Sequence, residues 1–142
     1  MAKLEHGNFS VADVDEMLRF VQIAFPDFRV RGEGRTGDGR RWVHVGSDDF
    51  YLAFDQAEHR TPATRKPYDG AVGVNHLGWV VDDAEAVRAR LTAAGYREST
   101  VGNRHPHRTR VYFLDPEGND WEFVEYHSDS PPERNDYGLP DG

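Results

Sequence analysis

An internal repeat constrains this chain more than any other feature of its sequence. Setting His6 on His76 shifts the chain by 70 residues and lays LEHGNFSV (4–11) on VNHLGWVV (74–81). Phe9 then falls on Trp79, Val11 on Val81, Met17 on Val87 and Val21 on Leu91. Apolar positions repeat together with a histidine, which marks one supersecondary unit used twice. Each copy runs from a strand into a helix. VDEMLRFVQIAF places Val14, Met17, Leu18, Val21 and Phe25 on one helical stripe, and Asp13 with Glu16 forms its capping box. AEAVRARLTAAG buries Val87, Leu91 and Ala94, with Asp82 and Glu85 as its cap, one residue out of step with the first, and Gly95 as its stop.

Three strand-like stretches follow each helix, at 27–34, 40–47 and 49–56 and again at 96–100, 108–115 and 120–126. Turn signals separate them at 34–39, 47–49 and 116–119. Each half therefore reads β-α-β-β-β. The 142 residues suit one domain. Its first module covers about 3–56 and its second about 72–127. A linker rich in Pro, Thr and charge spans 57–71. The tail, 128–142, lacks periodicity; it is either disordered or an extended arm anchored by Tyr137 and Leu139.

Composition narrows the partners. Net charge is −8, which repels a phosphate backbone and excludes nucleic acid as an expected partner. The same charge reads plainly as solubility and more sharply as attraction for a cationic ligand. No apolar stretch approaches the roughly 20 residues of a membrane helix, and MAKLEHGNFS has no signal-peptide core. No membrane partner and a cytoplasmic location are the expectation. There are no cysteines, so disulfides and thiolate metal ligands are excluded.

Alternation along the strands sorts the side chains by face. Phe9 and Val11 share one face of their strand, Leu77, Trp79 and Val81 of theirs, and Trp121 and Phe123 of theirs. These bulky faces suit packing beneath the helices. The opposite faces carry His6, His76 and Glu122. A carboxylate between Trp121 and Phe123 is costly unless it is paired or coordinated. Two imidazoles and a carboxylate form a divalent-metal set with positions left open for substrate. The plain alternatives are His6 as a surface residue near a frayed end, His76 as a core histidine bonded to backbone, and Glu122 as the partner of an arginine.

The sequence resembles the vicinal-oxygen-chelate superfamily of glyoxalase I, fosfomycin-resistance transferases, extradiol dioxygenases and bleomycin-binding proteins. LEHGNFSV, VNHLGWVVDDAEAVRARLTAAGY and above all VYFLDPEGNDWEFVEY carry the resemblance, over residues 4 to about 127. It implies an α+β fold of two βαβββ modules in tandem, forming an open, cupped mixed β-barrel with flanking helices. It also implies a homodimer, and His6, His76 and Glu122 as ligands of a divalent cation such as Fe, Mn, Ni, Zn or Mg. The fourth ligand of glyoxalase I would align with Leu52, which cannot bind a metal, and Gln56 is the nearest polar alternative on that face. The chain thus departs from the four-ligand pattern and looks more like three-ligand members.

Other residues with chemistry are His44, His105 and His107 as acid–base candidates. Trp42, Phe54, Arg104, Arg108, Tyr112 and Tyr126 are candidates for lining a small-molecule site. NRHPHRTR (103–110), which holds several of them, also reads as a solvated loop, and His44 as a pocket wall. The expected function is a metal-dependent lyase, isomerase, transferase or dioxygenase acting on a small oxygen-bearing substrate. The alternative is a metal-free drug-binding protein of the bleomycin-binding type.

Overall fold

A computed structural model describes residues 1–59, 66–102 and 104–138. The chain divides into two compact units, Met1–Thr64 and Arg65–Gly142. The first contains β1 (His6–Val11), α1 (Val14–Ala24), β2 (Arg29–Arg35), β3 (Arg41–Gly46) and β4 (Tyr51–Gln56). The second contains β5 (His76–Val80), α2 (Ala84–Ala93), β6 (Glu98–Val101), β7 (Arg108–Leu114), β8 (Asp120–Tyr126) and the short α3 (Pro131–Arg134). The fold is α+β, a βαβββ module in tandem. Among the described residues no helix is long and apolar enough to cross a membrane.

Each unit holds a four-stranded mixed sheet, ordered β1-β4-β3-β2 and β5-β8-β7-β6. In both, the first strand pairs in parallel with the last, and the other pairs are antiparallel. That parallel pair brings the start of each module beside its end.

One face of each sheet is covered by its helix. α1 packs on β3 and β4, over the fully buried Val43, Val45, Leu52 and Phe54. Its buried stripe is Val14, Met17, Phe20, Val21 and Ala24, with Phe25 just beyond the helix end. Leu18 is only half-buried, so the stripe is rotated towards Phe20 from the expected one. α2 packs on β7 and β8 over Val111, Phe113, Trp121 and Phe123.

The helix caps correct one expectation. The Asp13 carboxylate accepts from the amides of Asp15 and Glu16 at 3.0 and 3.2 Å. In the second unit the cap is Asp83, not Asp82: it accepts from the Ala86 amide at 2.9 Å, while its own backbone is extended. Asp13 and Asp83 are related by the repeat, so the two caps are in step. Glu125 of β8 accepts from the Ala84 amide at 3.0 Å and ties the helix start to the sheet.

The repeat slips instead at the last strand. Asn8 pairs with Ala53, and its equivalent Gly78 pairs with Glu122. The counterpart of Glu122 is therefore Ala53, not Leu52. Leu52 points to the helix side and is fully buried. Gln56 shares that phase, and its side-chain carbonyl accepts from the Arg41 amide at 3.3 Å. Alanine offers no donor atom at that position. A slip of one position exchanges the two faces of a strand, which is why alignment by helix misplaces β4.

Candidate metal centre and its pocket

The turn DPEGN (115–119) sets the register of β8. Asp115 is buried, and its carboxylate accepts from the Glu117 and Asn119 amides, the Asn119 side chain and the Trp121 indole, at 2.8–3.0 Å. Gly118 closes the turn at φ +83°, a conformation that favours glycine. With Trp121 locked on the helix side, Glu122 must point to the open face. Tyr112 of β7 and Gly78 of β5 are its direct neighbours across the sheet.

His76, at the head of β5, reaches the same place from two residues upstream of Gly78. Its Nε2 lies 3.0 Å from Glu122 Oε2. The other oxygen, Oε1, accepts from the Tyr112 hydroxyl at 2.8 Å. The other imidazole nitrogen, Nδ1, is hydrogen-bonded to the Tyr68 hydroxyl. Tyr68 takes the left-handed backbone conformation, with its amide donating to Asn75 Oδ1 at 3.0 Å. A Cβ at Gly78 would come 3.4 Å from Glu122 Oε2, so the glycine leaves space over the carboxylate. Burial, and then the hydrogen bond and charge of Glu122, raise the pKa of the Tyr112 phenol well above its ordinary value. Burial with the charges of Asp120 and Glu122 raises that of Tyr68. Both hydroxyls keep their protons at neutral pH. Glu122 is thus held by a histidine and a tyrosine, where an arginine was the plain expectation.

In the first unit the open face carries an aromatic ladder. His6 stacks on Tyr51 at 4.8 Å, Tyr51 stacks on His44 at 4.8 Å, and Trp42 lies 5.1 Å from His44. The Arg31 guanidinium sits 4.4 Å from the Tyr51 ring centre. His6 Nδ1 donates to Glu5 Oε1 at 3.0 Å, which leaves Nε2 with the lone pair when the ring is neutral. Trp42 lies across β2 because Gly32 and Gly34 leave room for its ring. Phe54 is fully buried on the helix side, so its role in this structure is core packing.

NRHPHRTR is not a solvated loop. His105 and Arg108 are each 8% exposed, and Arg108 already begins β7. His105 Nδ1 accepts from the His107 amide at 3.1 Å, and the two rings meet edge to face. Arg108 lies four positions before Tyr112, about 13 Å along the strand at 3.3 Å per residue. The histidine pair is thus remote along β7 from Glu122. Arg104 is exposed, and Asn103 falls outside the described residues.

A cavity of about 400 Å³ opens on the same face of the second sheet as Glu122. Glu122, Gly78, Arg108, Arg110 and Tyr126 line it, together with Arg134 and Tyr137 from the tail. The tail is therefore packed here. Arg108 donates to the Asp136 carbonyl at 3.2 Å, and the Arg134 guanidinium lies 4.3 Å from the Tyr126 ring centre. Tyr137 lines the cavity but stays 81% exposed, so it is not buried as an anchor, and Leu139 falls outside the described residues. Sequence reasoning missed Tyr68, Arg110 and Arg134. Arg110 was accessible to it, since it shares a strand phase with Tyr112.

Within neither unit do three His, Asp or Glu side chains of the described residues gather as a ready-made ligand set. The His76–Glu122 couple nevertheless fits a metal ion. Cis ligands at about 2.1 Å from a common ion stand about 3 Å apart, as these two atoms do. Their outer atoms are already hydrogen-bonded, as is usual around metal ligands.

Residues 3–123 match the family model described as the Glyoxalase/Bleomycin resistance protein/Dioxygenase superfamily. Among curated proteins no match is found. Similar solved structures include the fosfomycin resistance protein FosX from Mesorhizobium loti, 22% identical, covering 94% of this chain and 97% of that one, with a TM-score of 0.67. FosX from Listeria monocytogenes, complexed with Mn(II) and sulfate, is 14% identical over 96% of this chain and 99% of its own, with a TM-score of 0.69. The trypanothione-dependent glyoxalase I of Leishmania major is 16% identical over 88% and 87%, with a TM-score of 0.69. At these identities the likeness establishes the fold.

Proposed function

Because the chain belongs to the Glyoxalase/Bleomycin resistance protein/Dioxygenase superfamily, we propose that it is a metal-dependent enzyme acting on a small oxygen-bearing substrate. In this reading His76 and Glu122 hold a divalent cation, and His6 is the third ligand. The observation that carries it is the His76–Glu122 couple, 3.0 Å apart, with the outer atom of each side chain fixed by a tyrosine hydroxyl. The Mn(II) complex of Listeria FosX adds support from the same fold.

The supporting residues suit that task. Tyr68 can donate to His76 Nδ1 when Nε2–H points at Glu122. It can equally accept from Nδ1–H once Nε2 turns its lone pair to a cation. One hydroxyl therefore serves both tautomers without moving the ring. Tyr112 keeps Glu122 Oε1 occupied, which leaves Oε2 as the ligating oxygen. With Ala53 in place of a fourth ligand, three protein donors leave positions open to two substrate oxygens. A bound divalent ion supplies a Lewis acid that steadies negative charge developing on a substrate oxygen.

The test is metal content. Protein stripped by chelator, desalted and reloaded with Mn(II) should retain one equivalent, measured by elemental analysis. His76→Ala and Glu122→Gln should fall to background, and His6→Ala with them. Wild-type occupancy in His76→Ala or Glu122→Gln discards the site. Occupancy kept in His6→Ala alone removes His6 from the ligand set.

A further inference from the structure

The family model ends at residue 123, yet the chain beyond that point supplies part of the wall of the cavity beside Glu122, through Arg134 and Tyr137. We infer that this tail determines specificity: Tyr137, with Val80, receives an apolar, ring-sized group carried by the substrate. The inference deepens the proposed reading and rests on it in one respect, that Glu122 belongs to the reacting end of the same pocket.

Core packing does not account for where the tail lies. α3 buries none of its residues, and Tyr137 is largely exposed. The backbone around Tyr137 is nevertheless fixed. Arg108 donates to the Asp136 carbonyl at 3.2 Å, and the Gly138 amide donates to Asp136 Oδ1 at 2.9 Å. The Arg134 guanidinium braces α3 on β8, 4.3 Å from the ring centre of Tyr126. Ordering a chain segment costs conformational entropy that side-chain burial normally offsets. Here the ordered segment instead holds an uncovered aromatic ring at the edge of a cavity. The Arg108 guanidinium lies 5.7 Å from the Tyr137 ring centre, and the exposure of the side chain leaves the rest of the ring open. Val80 of β5 is also exposed and lines the same cavity. Single apolar side chains on a surface need no explanation, but two that border one concavity mark a binding surface. Tyrosine suits that use, since it offers a large rigid contact area with few rotors to fix. The volume, about 400 Å³, suits a small molecule. With Glu122 in the same lining, the ligand has oxygens at one end and an apolar ring at the other.

The experiment uses full-length protein, stripped of metal and desalted. Phenol, cyclohexanol and glycerol are titrated as probes of an aromatic ring, an aliphatic ring and neither. Binding is read by calorimetry and by tryptophan fluorescence, to which Trp79 in the cavity lining contributes. Saturable binding of phenol, cyclohexanol or both, with dissociation constants on the order of 1 mM, is expected without binding of glycerol. The tighter of the two rings identifies the kind of group. Tyr137→Ala should weaken that binding by about fivefold and leave the urea midpoint unchanged, while Tyr137→Phe should keep it within about twofold, because the ring makes the contact. No saturable binding of either ring compound, affinity unchanged in Tyr137→Ala, or a loss that Tyr137→Phe does not restore overturns the inference. Mn(II) loading of the same samples separates the two ideas. Ring binding without metal retention fails the metal centre alone, and metal retention without ring binding fails the role of the tail alone.

Discussion

Asp115 accepts four hydrogen bonds from its own turn and from Trp121, the residue that precedes Glu122. Asp115→Ala leaves two amides, an amide side chain and a buried indole without their acceptor. It should cost about 3 kcal/mol, seen as a lower urea midpoint. Asp115→Asn keeps one carbonyl acceptor and should lose less. A midpoint unchanged in the alanine variant would remove Asp115 as the organiser of the turn. At this scale the sequence reveals the histidines and Glu122, because polar residues inside apolar strands stand out. It does not reveal Tyr68, whose reach to His76 depends on a left-handed turn that no local spacing announces. Phe54 looks like a pocket residue until the phase of its strand is known, and that phase is set by pairing.

The elements themselves are largely legible. All eight strands lie where alternation and turn residues place them, since period-2 patterning and punctuation by Gly, Asp and Asn are local signals. Register is not local, and there the reading slips, on β4 and at the cap of α2. The caps give a direct check. Asp13→Ala and Asp83→Ala should each cost about 1 kcal/mol in denaturant unfolding. Asp82→Ala should stay within about 0.5 kcal/mol of wild type. A larger loss from Asp82 than from Asp83 would reverse the assignment. The polar stretch 103–110 misleads for a related reason: its charges suggest solvent, but Arg108 is buried and donates to the Asp136 carbonyl of the tail.

For the molecule as a whole, a ligand that binds only the folded state adds to stability by mass action. If the metal centre is as proposed, Mn(II) at about one hundred times its dissociation constant should add about 2.7 kcal/mol. The thermal midpoint should rise with Mn(II) concentration in wild type and stay flat in Glu122→Gln. A rise of equal size in both would place the ion elsewhere. Net charge says little about such a centre: a chain at −8 still gathers three arginines around one cavity. Overall composition describes the average surface, whereas recognition depends on a few side chains that the fold brings together.

The parallel pairing of first strand with last also bears on how the chain is made. Among the described residues β1 has no sheet neighbour except β4, and β5 none except β8. As the polypeptide leaves the ribosome, His6–Val11 must wait unpaired until Tyr51–Gln56 emerges, and His76–Val80 until Asp120–Tyr126 does. Each half then closes in one late, long-range step, the kind that slows folding. Synthesis that stalls before either closing strand leaves an open β-edge, and those pauses are where a nascent chain would most need a chaperone.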